Sequence, residues 1–414
     1  MSEALRVLQE RGFFKQCTNT EQLEEYLSDE QVTFYCGFDP TGPSLHAGHL
    51  VPLFAMTHLQ QAGHKPIALV GGGTARIGDP SGRTEMRKMQ SVEQIEANAE
   101  SIKEQISRFI SFEQGNALMV DNADWLADLN YIEFLRDIGR HFSVNRMLSF
   151  ETYKMRLETG LSFIEFNYQL LQSYDFLELY RKYGCKLQVG GDDQWGNIVS
   201  GADLIRRLEG VEAIGLTFPL VTRADGKKMG KTEKGALYLD PETITPYEFF
   251  QYWRNVPDAD VEKFLFLYTL LPAEEVRELG NMKGQEINRA KEVLAYELTK
   301  IVHGEEEAHK ARDASRTAFS SGAAGAKTGT TAIPSIEIPA TELENGIGVL
   351  ELFARTDLCA SNSEARRLVQ QGGARINDKK VEDSGAVIDS SWLEDGELML
   401  RAGKKRYFRI TVSD

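Results

Sequence analysis

No apolar run in the 414-residue sequence approaches the roughly 18 residues that a membrane-spanning helix requires. The opening stretch, MSEALRVLQERGFF, carries charges where a signal peptide has its apolar core, which predicts a cytoplasmic protein without membrane contact. Cysteine is sparse. Cys17, Cys36, Cys185 and Cys359 stand alone, at spacings that suit neither a disulfide framework nor a zinc site. Basic charge is in deficit too: 47 Lys and Arg face 62 Asp and Glu, a net charge of −15. Such a chain cannot coat nucleic acid by bulk attraction, so a polyanionic partner would need a local patch. Long-period repeats are lacking, and low complexity is confined to residues 320–339. What remains is an ordinary globular composition, 42% hydrophobic and 26% charged, in a chain long enough for two or three domains.

From about residue 31 to 221, short β-rich runs alternate with longer amphipathic stretches, the pattern of βα units around a parallel sheet. Strands are expected over 32–37, 66–70, 117–120 and 186–189. A helix is expected over 91–112, where Ile95, Ala99, Ile102, Ile106 and Phe109 keep a three-or-four spacing. The fold class is therefore α/β, a Rossmann-like doubly wound parallel sheet. Past Tyr247 the pattern turns helical, over 247–253, 260–271 and 287–303. Residues 320–339, rich in Gly, Ala, Ser and Thr, read as a flexible linker. A small α+β module then begins near Gly346, with helices over 349–353 and 363–370 and strands from Ala374 onward. The expected division is 1–222, 223–318, a linker 319–345, and 346–414.

Two glycine-bearing turns are the first candidate sites. Residues 39–49, DPTGPSLHAGH, follow a β run and open an apolar helical pattern, which aims backbone N–H groups and the positive end of a helix dipole at an anion. His46 and His49 share one side of the first turn, and Gly48 between them lets a flat group approach the backbone. A metal pair or two surface histidines would use the same spacing. Residues 224–232, ADGKKMGKT, form a basic turn from which Lys228 and Lys231 could swing onto a triphosphate. By itself this turn also reads as an exposed hairpin, and its glycine spacing excludes a Walker phosphate loop. On the helix of 166–176, Tyr168, Gln172 and Asp175 fall at i, i+4 and i+7 and share one face, suited to a ligand or to an interhelical network. The tail carries Arg401, Lys404, Lys405, Arg406 and Arg409 with no acid among them, a patch for nucleic acid or a solvated strand edge.

Together the turns His46-Ala47-Gly48-His49 and Lys228-Met229-Gly230-Lys231-Thr232 resemble the paired motifs of class I aminoacyl-tRNA synthetases. The resemblance extends along nearly the whole chain to the bacterial tyrosyl-tRNA synthetases, through residues 35–41, 61–66, 78–82 and 194–198. It implies catalytic roles for His46, His49, Lys228, Lys231 and Thr232. Tyr168, Gln172 and Asp79 would hold the ammonium group of L-tyrosine, and Asp175 and Tyr35 its hydroxyl, as acceptor and donor. Gly37, Asp39, Thr41, Gly48, Gly191, Asp193 and Gln194 would lie at the adenylate, its ribose and the activated carboxyl. Arg83 and Arg87 would face pyrophosphate. Asp192 stands where the family usually has Ser, and Arg83 replaces a common Lys. The resemblance also implies ATP with Mg2+ as the substrate complex, no protein-bound metal, tRNA(Tyr) as partner and a homodimer; the helix of 134–144 suits its contact, or equally an ordinary core helix. Residues 122–125 would lie near the phosphates or the acceptor end. Residues 223–318 would bind the anticodon arm. The tail would be an RNA-binding module like one in a small-subunit ribosomal protein, gripping tRNA through Arg366, Arg367, Arg375, Arg401, Lys404, Lys405 and Arg406.

Overall fold

A computed structural model describes the chain except for residues 30, 82–88, 225, 227–228, 233–234, 321–333, 357, 378, 395, 404–405 and 414. The described residues form two compact units, Met1–Ile244 with Trp253–Val302, and Thr245–Tyr252 with His303–Asp414.

The first unit is built on a six-stranded sheet of β1 (Gln16–Cys17), β2 (Thr33–Phe38), β3 (Lys65–Val70), β4 (Leu118–Asp121), β5 (Leu187–Gly191) and β6 (Ile214–Phe218), in the order β1-β6-β5-β2-β3-β4. The last five are parallel, and β1 adds an antiparallel edge. β2, β3, β5 and β6 are buried nearly throughout, as strands covered on both faces must be. From β2 the chain winds to one side through β3 and β4, then returns to the other side through β5 and β6. The strand order thus reverses between β2 and β5, where the loops beyond the carboxyl ends part into a crevice.

The four expected strands are present with shifted ends, whereas β6 and the two-residue β1 had not been singled out. The helix expected over 91–112 stops at Ile106. Among the helices past Tyr247, Val261–Tyr268, Ala273–Gly280 and Ile287–His303 lie within the first unit up to Val302. The physical reason is packing. Tyr268 meets Phe54 of the helix Leu50–Gln61 with ring centroids 6.2 Å apart, and buried Arg11 donates to the carbonyls of Phe266 and Thr269 at 3.2 and 2.9 Å. β7 (Lys231–Thr232) and β8 (Gly235–Ala236) form a short hairpin.

In the second unit, β9 (Ser335–Pro339), β11 (Ala374–Ile376), β12 (Lys379–Lys380), β14 (Glu397–Ala402) and β15 (Arg406–Ser413) make a sheet in the order β12-β11-β14-β15-β9. β10 (Ile347–Gly348) pairs separately with β13 (Val387–Ile388). β9 falls inside the stretch read as linker: it runs parallel to β15 and buries Ile338 in the core formed by Phe353, Leu400, Phe408 and Ile410. The sheet of the second unit therefore takes in residues before Gly346. No helix among the described residues is long and apolar enough to cross a membrane.

Candidate active site

The helix Phe163–Tyr183 supplies the polar row. Ser162 and Glu165 close its amino end in a reciprocal capping box, and Gly184, at φ 65°, ends it in the left-handed region. The row enters two hydrogen-bond chains. In one, the Tyr168 hydroxyl donates to Asp39 Oδ2 at 2.8 Å, and Thr74 Oγ1 donates to Asp39 Oδ1 at 2.8 Å. Asn122 Nδ2 donates to Thr74 Oγ1 and to Asp175 Oδ2, each at 2.9 Å, and Trp125 Nε1 donates to Asp175 Oδ1 at 2.8 Å. In the other, Gln194 Nε2 donates to Asp79 Oδ2 at 2.7 Å, while Asn197 Nδ2 donates to Gln194 Oε1 at 3.1 Å and Gln172 Oε1 at 2.9 Å. Tyr168 joins the two chains electrostatically: burial first, then the Asp39, Asp79 and Asp175 carboxylates, hold its phenol well above the usual range.

Asp175 is only 2% exposed, and burial pushes its carboxyl up to about 7, despite the opposing pull of the Asn122 and Trp125 donors. Beside it, Tyr35 is 1% exposed and its hydroxyl lacks a hydrogen-bond partner among the described residues. Burial, followed by the Asp175 charge, raises this phenol well above its ordinary value. A buried acceptor and a buried unmatched donor are arranged for a ligand hydroxyl.

At the carboxyl end of β2, Gly71 approaches so closely that a Cβ there would lie 1.9 Å from Asp39 Oδ1. The first turn then folds back on itself: Gly48 N donates to His46 Nδ1 at 3.0 Å and His46 N to His49 Nδ1 at 3.1 Å, with ring centroids 4.1 Å apart. Since each Nδ1 accepts a backbone N–H, a neutral ring keeps its proton on Nε2, the nitrogen suited to donate to phosphate oxygen. The second turn is stitched to the first through main chain. Ala47 N donates to Leu237 O at 2.8 Å, Leu239 N to Leu45 O at 2.9 Å, Leu237 N to Gly230 O at 2.8 Å, and His46 bridges Tyr238. Gly230 has φ 75°, and a Cβ there would sit 2.7 Å from Ala47 Cβ.

The structure thus brings together Tyr35, Asp39, Asp79, Tyr168, Gln172, Asp175 and Gln194, and sets the backbone of His46, Gly48 and His49 against Gly230. Gly37 lies in β2 and Thr41 follows it, its N–H donating to Asp39 O at 2.8 Å. Gly191 ends β5, and a Cβ there would lie 2.6 Å from Asp193 Oδ1. Arg83, Arg87, Lys228, Lys404 and Lys405 lie outside the described residues, as do the side chains of Lys231 and Thr232. In the second unit, Arg366 and Arg367 are exposed on the helix Asn362–Gln370. Arg375 pairs in register with Arg401, whose guanidinium lies 5.4 Å over the Tyr407 ring, and Arg406 is exposed. Arg409 instead meets Glu397 at 3.1 Å.

Asn122 and Trp125, of the stretch 122–125, hold Asp175. One expectation needs correction. The stretch 134–144 is not one helix: Tyr131–Asp137 gives way to a 3-10 turn at Gly139–His141. Sequence reasoning missed Thr74 and Asn197; the run Gly71-Gly72-Gly73-Thr74 directly after a strand was the available signal for the first. Among the described residues there is no group of three or more His, Cys, Asp or Glu able to hold a metal ion.

A parallel sheet with its polar site at the strand reversal, flanked by a histidine turn and a lysine loop joined through main chain, is the arrangement of a class I aminoacyl-tRNA synthetase. Residues 27–320 match the family described as tRNA synthetases class I (W and Y), and residues 327–410 match the Tyrosine--tRNA ligase SYY-like C-terminal domain. The chain belongs to the tyrosine--tRNA ligases of that class. It is 57% identical to the Tyrosine--tRNA ligase of Treponema denticola over 414 residues, 100% of both chains, and 55% identical over 412 residues to that of Acetivibrio thermocellus, again 100% of both. Among solved structures, a C-terminally truncated Aspergillus nidulans mitochondrial tyrosyl-tRNA synthetase aligns with a TM-score of 0.67 and 29% identity, covering 76% of this chain and 93% of that one. A tyrosyl-tRNA synthetase from Archaeoglobus fulgidus, at 18% identity and a TM-score of 0.57 over 75% of this chain and all of its own, shares the fold.

Proposed function

We propose that the chain activates L-tyrosine with Mg2+-bound ATP, giving tyrosyl adenylate and pyrophosphate, and then transfers the tyrosyl group to the 3′ end of tRNA(Tyr), releasing AMP. The observation that carries this reading is the pairing of the buried Asp175 carboxylate with the buried, unmatched Tyr35 hydroxyl. A substrate phenol satisfies both, whereas phenylalanine or tryptophan leaves the Tyr35 hydroxyl unpaired and places no donor on Asp175 beyond Asn122 and Trp125.

The substrate carboxylate attacks the α-phosphorus of ATP and expels pyrophosphate, with no covalent enzyme intermediate. Tyr168, Gln172 and Asp79 receive the ammonium group, with Gln194 beside the carboxyl. Gly37, Asp39, Thr41, Gly191 and Asp193 border the nucleotide, Asp193 accepting ribose hydroxyls. His46 and His49, through Nε2, and Lys228, Lys231 and Thr232 act on charge developing in the transition state, and Arg83 and Arg87 on the pyrophosphate side. Mg2+ arrives with ATP as part of the substrate.

Residues 1–222 bind tyrosine and ATP, the lysine loop and helices of 223–318 serve catalysis and the tRNA anticodon arm, and the tail from β9 onward grips tRNA through Arg366, Arg367, Arg401, Lys404, Lys405 and Arg406. The chain works as a cytoplasmic homodimer. The basis for the dimer is a set of exposed apolar side chains within 131–164, among them Tyr131 (54%), Ile132 (71%), Val144 (55%) and Phe163 (68%).

Amino-acid-dependent exchange of pyrophosphate into ATP, run across all twenty amino acids, tests the assignment. Exchange with tyrosine alone supports it; exchange driven by tryptophan, or by no amino acid, refutes it.

A further inference from the structure

At the edge of the first sheet, β1 runs antiparallel to β6 with Gln16 directly opposite Thr217. The register brings the Gln16 amide and the Thr217 hydroxyl together, and both donate to one oxygen of Asp192: Gln16 Nε2 at 2.7 Å and Thr217 Oγ1 at 2.8 Å. Thr217 is fully buried. Asp192 opens the three-residue 3-10 turn Asp192–Gln194, whose other members are Asp193 and Gln194. From the opposite side, Thr152 Oγ1 donates to the Asp193 carbonyl at 3.3 Å, and the turn reaches across the crevice through the bond from Gln194 to Asp79.

We propose that Asp192 is a positioning residue for the nucleotide half of the reaction: with Gln16 and Thr217 it pins the turn that presents Asp193 to the ribose of ATP. The proposal rests on the reading above, in which Asp193 accepts ribose hydroxyls. A carboxylate oxygen is a pure acceptor with room for two donors, which is what this corner requires. The side chain at 192 is thereby turned onto the sheet edge by two hydrogen bonds, and its acceptor oxygen, not its charge, has the structural use. An asparagine with its carbonyl oxygen toward Gln16 and Thr217 would keep both bonds without the charge, so it separates anchoring from electrostatics. Asp192 opens the turn directly before Asp193, whereas the link to the tyrosine pocket leaves from its last residue, Gln194, so the anchor bears on the nucleotide before it bears on tyrosine.

The test uses the full chain and four variants, Asp192→Ala, Asp192→Asn, Thr217→Val and Gln16→Met. Initial rates of tyrosine-dependent pyrophosphate exchange give separate KM values for ATP and tyrosine, and a melting curve is recorded for each protein. Asp192→Ala should raise KM for ATP roughly tenfold, the equivalent of about one positioned hydrogen bond, while KM for tyrosine stays within about twofold. Thr217→Val and Gln16→Met, which each remove one donor, should shift the same constant by roughly threefold. Asp192→Asn should restore wild-type constants. If Asp192→Ala or the two donor variants lower the melting temperature but leave KM for ATP unchanged, the network is only structural and the proposal falls. If Asp192→Asn is as impaired as Asp192→Ala, charge and not anchoring is at work, and the proposal also falls. Should Asp192→Ala fail to fold, Gln16→Met at the sheet edge decides by the same ratio. Absence of tyrosine-dependent exchange in the wild-type chain would instead overturn the activity on which the inference rests.

Discussion

Burial and two N–H donors pull the Asp175 carboxyl in opposite directions, and burial prevails, leaving it near 7 against an ordinary value of 3.8. A folded-state value raised above the unfolded one has a defined consequence for stability. Below about pH 4 the group is protonated in both states and its contribution is fully present; as pH rises through 7 the native chain must ionise a buried carboxyl, and that contribution is lost. The substrate-free protein should therefore lose stability between about pH 4 and pH 7 by up to about 1.4 kcal/mol per pH unit from this group, and Asp175→Ala should lack that slope in denaturant melts across the same range. The same variant should stay folded yet fail to activate tyrosine; exchange kinetics near those of the wild type would remove Asp175 from the hydroxyl site. At this scale the sequence was readable where side chains share a helix face, as Tyr168, Gln172 and Asp175 do. It was opaque where partners meet only through strand order, as Asn122 and Trp125 do on Asp175, or Gln194 on Asp79.

Short β-rich runs between helical stretches make β2, β3, β4 and β5 legible with only shifted ends, although β4 is half-buried, whereas burial alone does not reveal the fully buried β6. β1 is two residues long, too short for any period, and its place at the edge follows from pairing with β6. The break at Gly139–His141 depends on a local turn within a stretch that mixes apolar and charged residues. The lysine loop shows what element geometry adds to a motif. Gly230 sits at φ 75° against Ala47, so Gly230→Ala forces a side chain into the left-handed region, which costs about 1–2 kcal/mol, and also drives a Cβ against the histidine turn. This substitution should lower the rate of adenylate formation while leaving tyrosine affinity within about twofold, because only the nucleotide half is displaced. Stopped-flow measurement of adenylate formation with equilibrium tyrosine binding separates the two, and an equal loss in both would mean the loop supports the whole pocket.

For the whole molecule, tRNA charging and amino-acid activation should be separable. Removing residues 321–414 should leave tyrosine-dependent pyrophosphate exchange largely intact, weaken tRNA charging sharply and flatten its salt dependence, since binding through fewer phosphate contacts releases fewer counterions. Arg409, tied to Glu397, should contribute less to that slope than Arg366 or Arg406. Unchanged affinity and slope in the truncated chain would make the basic tail a solvated surface. Self-association belongs to this scale as well: Ile132→Asp should convert a dimer to a monomer in sedimentation analysis, and a chain already monomeric as wild type would dismiss the apolar patch as the contact. The division into units was only partly legible, because the helices past Tyr247 look alike in periodicity whether they pack on the sheet or on the tail. The main-chain stitching between Leu45 and Leu239 also bears on synthesis order. The histidine turn leaves the ribosome early, but the strip that closes it is translated only after all six strands of the first sheet. A chain stalled between Phe218 and Leu239 therefore carries all six strands with the histidine turn still unclosed, so on the proposed reading competence to use ATP comes late in the making of each new molecule.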